Sequence, residues 1–178
     1  MARLILVTGG TRSGKSDYAL QMAQLLPGPR CFIATCPVVD AEMAERISRH
    51  REERAGLEWQ TIEEQTAIPA ILQTEQKYPV CVIDCLTLWV NNLMYQAKRS
   101  GQPFTDPEMQ LHCQLLIEAA QDYPGTVICV TNEVGMGIVP DNSAARIYRD
   151  LVGRCNRMLA AAAVEVYLVS CGLPLRLK

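Results

Sequence analysis

No apolar run in this sequence approaches the length of a membrane span, which excludes a transmembrane helix. The amino end already reads as strand and loop, so no secretory signal peptide is expected. Basic residues are not in excess. Seventeen Lys and Arg stand against 19 Asp and Glu, giving a formal net charge of −2 and an isoelectric point near 5.7. A protein that grips a nucleic-acid backbone needs a basic stripe, so no nucleic-acid partner is expected. Internal repeats, linkers and low-complexity tracts are also missing. None of the eight cysteines (31, 36, 81, 85, 113, 129, 155 and 171) forms a Cys-x-x-Cys pair. Most sit in apolar runs such as Pro79–Ile83 and Val127–Val130, where a thiol serves as a small core side chain. Neither a disulfide framework nor a zinc site is expected, and the setting reads as reducing and cytoplasmic. At 178 residues the chain is read as one domain, 1–178, large enough for a core without staples.

The sequence does contain Gly9-Gly10-Thr11-Arg12-Ser13-Gly14-Lys15-Ser16, a full match to the phosphate-loop pattern G-x-x-x-x-G-K-[ST]. It follows an apolar run, Leu4–Val7, and precedes a segment with helical spacing of apolar residues, Asp17–Leu26. Strand, loop and helix together make a concave set of backbone N–H groups at a helix N-terminus, suited to polyanionic phosphate. Gly9 and Gly14 keep Cβ atoms out of the way. Lys15 places a charge near the β- and γ-phosphates, and Ser16 a hydroxyl on Mg²⁺. The expected ligand is a nucleoside triphosphate.

Beyond the loop, strand-like and helix-like segments alternate. Strands are expected at 31–35, 58–62, 80–84 and 126–131, and helices at about 41–54 (Asp40 as N-cap), 67–76, 86–97, 108–120 and 143–163. The stretch Lys98–Pro107 reads as a loop. Val164–Val169 and Leu173–Leu177 flank Cys171-Gly172 as a terminal hairpin. Such alternation predicts an α/β fold with a mostly parallel sheet, helices on both faces and an antiparallel carboxyl-terminal edge.

Asp84 ends an apolar strand, where a carboxylate is unlikely to be core filling. It suits the Mg²⁺ shell or the N-cap of the next helix, and these roles are compatible. Arg46, His50 and Arg54 fall at i, i+4 and i+8 of one helix face. Two readings stand here. In one, the arginines clamp phosphate and hold the imidazole neutral as a nucleophile. In the other, this is a solvated face whose Glu52 and Glu53 pair with arginines. His112 reads as helix surface. The glycine-bearing loop 131–140 ends a strand, where open α/β sheets bind ligands, and makes Asn132 and Glu133 candidate substrate contacts. Asp150-Leu151-Val152-Gly153 matches the D-x-x-G of GTPase switches. It lies within a helical stretch and no N-K-x-D follows, so it is set aside.

Three segments together resemble the bifunctional adenosylcobinamide kinase / adenosylcobinamide-phosphate guanylyltransferases of cobalamin biosynthesis. They are Val7–Ser16, Ile33–Thr35 with Asp40–Ile47 leading to His50, and Val130–Pro140 continuing to Arg146, Arg149, Asp150, Gly153, Asn156 and Leu159–Ala162. The resemblance implies a RecA-like P-loop domain that phosphorylates the aminopropanol hydroxyl of adenosylcobinamide with ATP or GTP. It then implies GMP transfer from GTP to that phosphate through a guanylylated histidine, releasing pyrophosphate. By position, His50 matches that histidine, and Lys15 works beside it as a catalytic cation. Gly9, Gly10, Thr11, Arg12, Ser13, Gly14, Lys15 and Ser16 match the phosphate loop. Ala34, Thr35 and Cys36, then Arg51, Glu52, Glu53 and Arg54, match nucleotide-contacting stretches. Glu63 and Asp84 match acidic nucleotide contacts, with Ser16 and Asp84 on the metal. Position 36 is Cys where a small polar residue also occurs, and position 84 is Asp where Glu can occur. A homotrimer is implied by the resemblance alone. The other readings are a monofunctional small-molecule kinase and a non-catalytic switch or nucleic-acid ATPase, the latter disfavoured by the missing basic stripe.

Overall fold

The computed structural model of the chain describes residues 2–37 and 59–178. The expected helix 41–54, its cap Asp40 and the residues Arg46, His50, Arg51, Glu52, Glu53 and Arg54 lie outside the described residues. Strand β1 (Arg3–Gly9) shows why the strands form. Leu4 and Leu6 join the core on one side of the sheet, while Ile5 and Val7 join that on the other. In β4 (Val80–Asp84), Cys81 and Ile83 oppose Val80 and Val82 in the same way. In β5 (Thr126–Val130), Val127 and Cys129 oppose Ile128 and Val130. Strands buried on both faces read as unbroken apolar runs, as these do.

With β2 (Arg30–Ala34), β3 (Trp59–Glu63), β6 (Glu165–Ser170) and β7 (Leu173–Arg176), the described strands form one sheet in the order β3-β2-β4-β5-β1-β6-β7. All pairings are parallel except β6 with β7. The predicted antiparallel edge hairpin is therefore present. Its two-residue turn, Cys171-Gly172, has φ values of 53° and 77°, the geometry that matches strand twist in a tight hairpin.

Helix α1 (Lys15–Gln24) packs Ala19 and Ala23 on one face of the sheet. Helices α2 (Ile68–Thr74), α3 (Leu86–Arg99), α4 (Asp106–Asp122) and α5 (Ser143–Ala162) share the other. On that side Trp89 is fully buried, and its Nε1 donates to the Thr66 carbonyl at 2.8 Å. Fully packed aromatics of this kind contribute about 3–5 kcal/mol each. Among the described residues no helix is long and apolar enough to cross a membrane.

Two expectations are corrected. Lys98–Pro107 is not a loop throughout. Lys98 and Arg99 finish α3, and α4 begins at Asp106, because Thr105 and Glu108 form a capping box and Pro107 occupies the first turn. Asp106 is tied to α5 by Arg154 Nε at 2.7 Å, and this contact with Arg154 holds its carboxyl below the usual range. His112 is half-buried rather than on the surface, with ring centroids 6.2 Å from Trp89 and 5.8 Å from Phe104. Burial holds its pKa below the usual histidine value. Helix periodicity cannot show that the loop before α4 folds Phe104 over it.

All eight thiols are free, and those of Cys31, Cys81, Cys113, Cys129 and Cys155 are buried. Burial alone pushes the Cys129 thiol up to about 12. Only Cys171 is exposed. Under native conditions at neutral pH a thiol reagent should label Cys171 first and reach these five core thiols only after unfolding, read by peptide mass mapping. Rapid native labelling of Cys129 would contradict this packing.

Candidate functional site

The phosphate loop leaves β1 at Gly9 and enters α1 through Gly14, a left-handed residue at φ 90° that caps the helix. Its closure is local: Ser13 N donates to Gly10 O at 3.3 Å and Tyr18 N to Gly14 O at 2.9 Å. It is also braced from outside, since Gly172 N in the β6–β7 turn donates to Ser13 O at 2.8 Å. Gly9 is required by close approach. A Cβ there would lie 2.4 Å from the Val169 carbonyl oxygen and 2.7 Å from Ser13 Oγ. Lys15 Nζ rests on the Gly10 carbonyl at 3.0 Å, and the buried Ser13 Oγ has no hydrogen-bond partner among the described residues. Thr11 and Arg12 are exposed, and Arg12 is itself left-handed at φ 56°.

The end of β5 is fastened to this loop. Thr131 N donates to Val7 O at 2.9 Å and Glu133 N to Gly9 O at 3.1 Å. Glu133 Oε1 accepts from Thr8 Oγ1 at 2.6 Å and from Asn156 Nδ2 at 3.1 Å. Asn156 also accepts from Thr131 Oγ1 at 2.7 Å and donates to Asn132 O at 3.2 Å, and Asn132 Nδ2 reaches Thr11 Oγ1 at 3.3 Å. The two candidate contacts of this loop thus stand beside the phosphate loop. Thr8 and Asn156 both entered the sequence reading only within the resembling segments. A usable signal existed for Asn156: it interrupts the buried stripe Leu151, Val152, Cys155, Leu159 of α5, and a buried polar side chain needs a partner.

The other site residues follow the sheet edge. Glu63, Ala34 and Asp84 share one register row with Val130 and Val7. At about 4.8 Å between strands, Asp84 lies about 10 Å from β1, Ala34 about 14 Å and Glu63 about 19 Å. Asp84 closes β4, and the N-cap of α3 is Cys85 rather than Asp84. Burial and then the Asp84 charge raise the Cys85 pKa, while the bond to Thr87 and the Lys15 charge oppose the rise. Asp84 and Lys15 therefore both act at this point of the edge. Thr35 is fully buried. Its N donates to Asp84 O at 3.1 Å, its Oγ1 donates to Cys85 O at 2.8 Å and accepts from Cys85 N at 2.7 Å, and its carbonyl accepts from Asn92 Nδ2 at 2.8 Å. These bonds make Thr35 a positioning residue for Asp84-Cys85. Cys36 is half-buried, with Sγ 3.6 Å from the Pro37 carbonyl.

The donor set suits Mg²⁺ carried by a nucleotide. Ser16 and Asp84 offer oxygen, and the described residues contain no group of three His, Cys, Asp or Glu that would form an all-protein metal cage. Mg²⁺ is commonly held by one or two protein oxygens plus phosphates and water. Lys15, bonded only to the Gly10 carbonyl, and a Ser13 hydroxyl with no partner among the described residues leave donors in this loop for the phosphates.

Comparison with known proteins agrees with this geometry. A family model described as cobinamide kinase / cobinamide phosphate guanyltransferase matches residues 5–177. The bifunctional adenosylcobalamin biosynthesis protein CobU of Escherichia coli is 39% identical over 186 aligned positions, covering 98% of this chain and 99% of that protein. Its counterpart from Salmonella typhimurium is 40% identical, covering 98% and 99%, and CobP of Pseudomonas aeruginosa is 36% identical, covering 97% and 96%. Among solved structures, an ATPase from a bacterial type III secretion system superposes with a TM-score of 0.58 at 13% identity, covering 99% of this chain and 57% of that one. That likeness concerns the fold, a RecA-like P-loop core. With the motif, the strand order and a match spanning almost the whole sequence, the chain belongs to the cobinamide kinase / cobinamide phosphate guanyltransferase family.

Proposed function

We propose that this chain phosphorylates the aminopropanol hydroxyl of adenosylcobinamide with ATP or GTP and then transfers GMP from GTP to the new phosphate through His50. The observation that carries the reading is the prepared phosphate loop: among the described residues, Lys15 has no anionic partner and bonds only the Gly10 carbonyl, and the Ser13 hydroxyl has no partner. In the kinase step the hydroxyl oxygen attacks the γ-phosphorus and the bond to the β-bridging oxygen breaks. Lys15 and the loop N–H groups oppose the charge that gathers on the phosphate oxygens. Glu133 is our candidate acceptor for the hydroxyl proton, since Thr8 and Asn156 fix its Oε1 at the loop. In the second reaction a neutral His50 nitrogen attacks the α-phosphorus of GTP and pyrophosphate leaves. The cobinamide phosphate then displaces the histidine, giving adenosylcobinamide-GDP. Imidazole is both a competent nucleophile and an adequate leaving group near neutral pH.

Mg²⁺, held by Ser16 and Asp84 with the phosphates, would supply charge neutralisation on the phosphate oxygens. Gly9–Ser16 would seat the triphosphate and Ala34, Cys36 and Glu63 would contact nucleotide along the same edge, while the resemblance adds residues 51–54 as further nucleotide contacts. Thr35 holds that edge in place. The resemblance also supports a homotrimer, and the unpaired thiols suit the reducing cytoplasm.

Incubation with GTP and Mg²⁺ followed by intact-mass measurement tests the second activity. The wild type should gain the mass of GMP, lose it in acid, and show no gain as His50→Asn. Protein that binds GTP but never acquires the adduct would remove His50 as the nucleophile.

A further inference from the structure

We propose that the cleft along the exposed face of α3 cradles the corrin macrocycle of the cobinamide acceptor. The inference rests on the family's acceptor chemistry and assigns that substrate a place away from the phosphate loop. Three adjoining cavities, of about 700, 500 and 380 Å³, run along the carboxyl-terminal half of α3. Each lies within the size range of small-molecule sites, or at its lower end. Asn91 and Tyr95, one helical turn apart, line both of the larger ones, so these two are continuous across a single helix face.

Their linings differ in a way that matches one class of ligand. The 500 Å³ cavity is floored by Met94, Pro103, Phe104 and Ile147. The 700 Å³ cavity is walled by carboxamide and hydroxyl groups, among them Gln65, Asn91 and Gln96. Corrinoids combine a broad apolar macrocycle with a rim of amide side arms. Tyr95 stands between the two linings and is 63% exposed, a large aromatic with no core to serve. A flat ring gives such a side chain a stacking partner.

The position also fits. The larger cavity is lined by Pro37, just past β2, and by Gln65 and Thr66, just past β3. It therefore opens on the same carboxyl edge of the sheet as the phosphate loop, where open α/β sheets bind ligands. β2 and β3 lie three and four strands from β1, or about 14 and 19 Å. A macrocycle held there keeps its bulk clear of the triphosphate, and its hydroxyl-bearing arm points along the edge toward the loop. The wall is also well supported, since Asn92 Nδ2 bonds both Thr35 O and Gln65 O at 2.8 and 3.1 Å.

Tyr95→Ala and Asn91→Ala test the assignment through steady-state kinase kinetics with cobinamide as the varied substrate. Both residues are exposed, so thermal unfolding should be unchanged. We expect the KM for cobinamide to rise about tenfold in Tyr95→Ala, as loss of an aromatic anchor implies. Asn91→Ala should raise it as well, with the KM for GTP and the GMP adduct formed from GTP alone unchanged. Tyr95→Phe, which keeps the ring, should retain near wild-type KM. Cobinamide KM values within twofold of wild type in both alanine variants would overturn the cradle while leaving the enzymatic reading intact. A wild type that forms no GMP adduct and does not turn over cobinamide would instead defeat that reading, and this assignment with it.

Discussion

Lys15→Ala is expected to lower the kinase kcat by about 10³-fold, with the melting temperature almost unchanged. The catalytic effect follows from where charge develops. The phosphoryl group in flight carries it on its oxygens, and removing one preorganised cation from that position forfeits most of the stabilisation it supplied. The small structural effect follows from what Lys15 does in the free protein. Among the described residues its Nζ makes one hydrogen bond, to the Gly10 carbonyl at 3.0 Å on an accessible surface, and surface changes of this kind stay within about 0.5 kcal/mol. Steady-state kinetics beside thermal unfolding check both halves. A variant that keeps kcat within tenfold would mean that the loop's backbone and Mg²⁺ carry the charge without the lysine. A variant that loses both activity and fold would give Lys15 a structural role the geometry does not show.

Gly9→Ala is expected to damage the fold and the site together. Its Cβ would stand 2.4 Å from the Val169 carbonyl oxygen of β6 and 2.7 Å from Ser13 Oγ. The serine side chain can turn away, but the carbonyl belongs to a strand paired with β1 and cannot move alone. Overpacking at such a point costs about 2 kcal/mol. At about 2–4 °C per kcal/mol for a chain of this length, the melting temperature should fall by about 4–8 °C. Nucleotide affinity should fall as well, because the shift passes directly into the loop. Gly10→Ala is the internal control: no described residue lies within 4 Å of a Cβ at that position, so its melting temperature should hold. Equal melting temperatures for the two variants would show that β6 yields and the close approach does not constrain the loop.

Much of the architecture was readable because it depends on neighbours in the chain. The run Val80–Asp84 appears as a strand with the predicted bounds, and the hairpin around Cys171-Gly172 forms with its predicted turn. The D-x-x-G match at Asp150–Gly153 lies inside α5, as its helical context implied. The start of α4 was misjudged by apolar spacing, which begins after the polar Thr105–Glu108 cap that sets the boundary. His112 was misjudged because its cover comes from Phe104 and Trp89, outside its own helical pattern. The bonds of Thr35 to Asp84, Cys85 and Asn92 link residues up to 57 positions away and so left no local signal in the sequence.

By itself, then, the sequence determined the phosphate loop, the alternation of buried strands and helices, and the family. The loop and the alternation are written in contiguous residues whose period or spacing is a direct consequence of backbone geometry, while the family rests on the resemblance of three segments. Tertiary structure alone decided which strands are neighbours, and so that Asp84, Ala34 and Glu63 share one edge with the loop. It also decided that Thr8 and Asn156 would hold Glu133 beside Gly9 and that α3 would present Asn91 and Tyr95 to an open cleft. Thr8 and Glu133 are 125 positions apart. No local period records such a pair, because its hydrogen bond exists only after the sheet has brought β1 and β5 together.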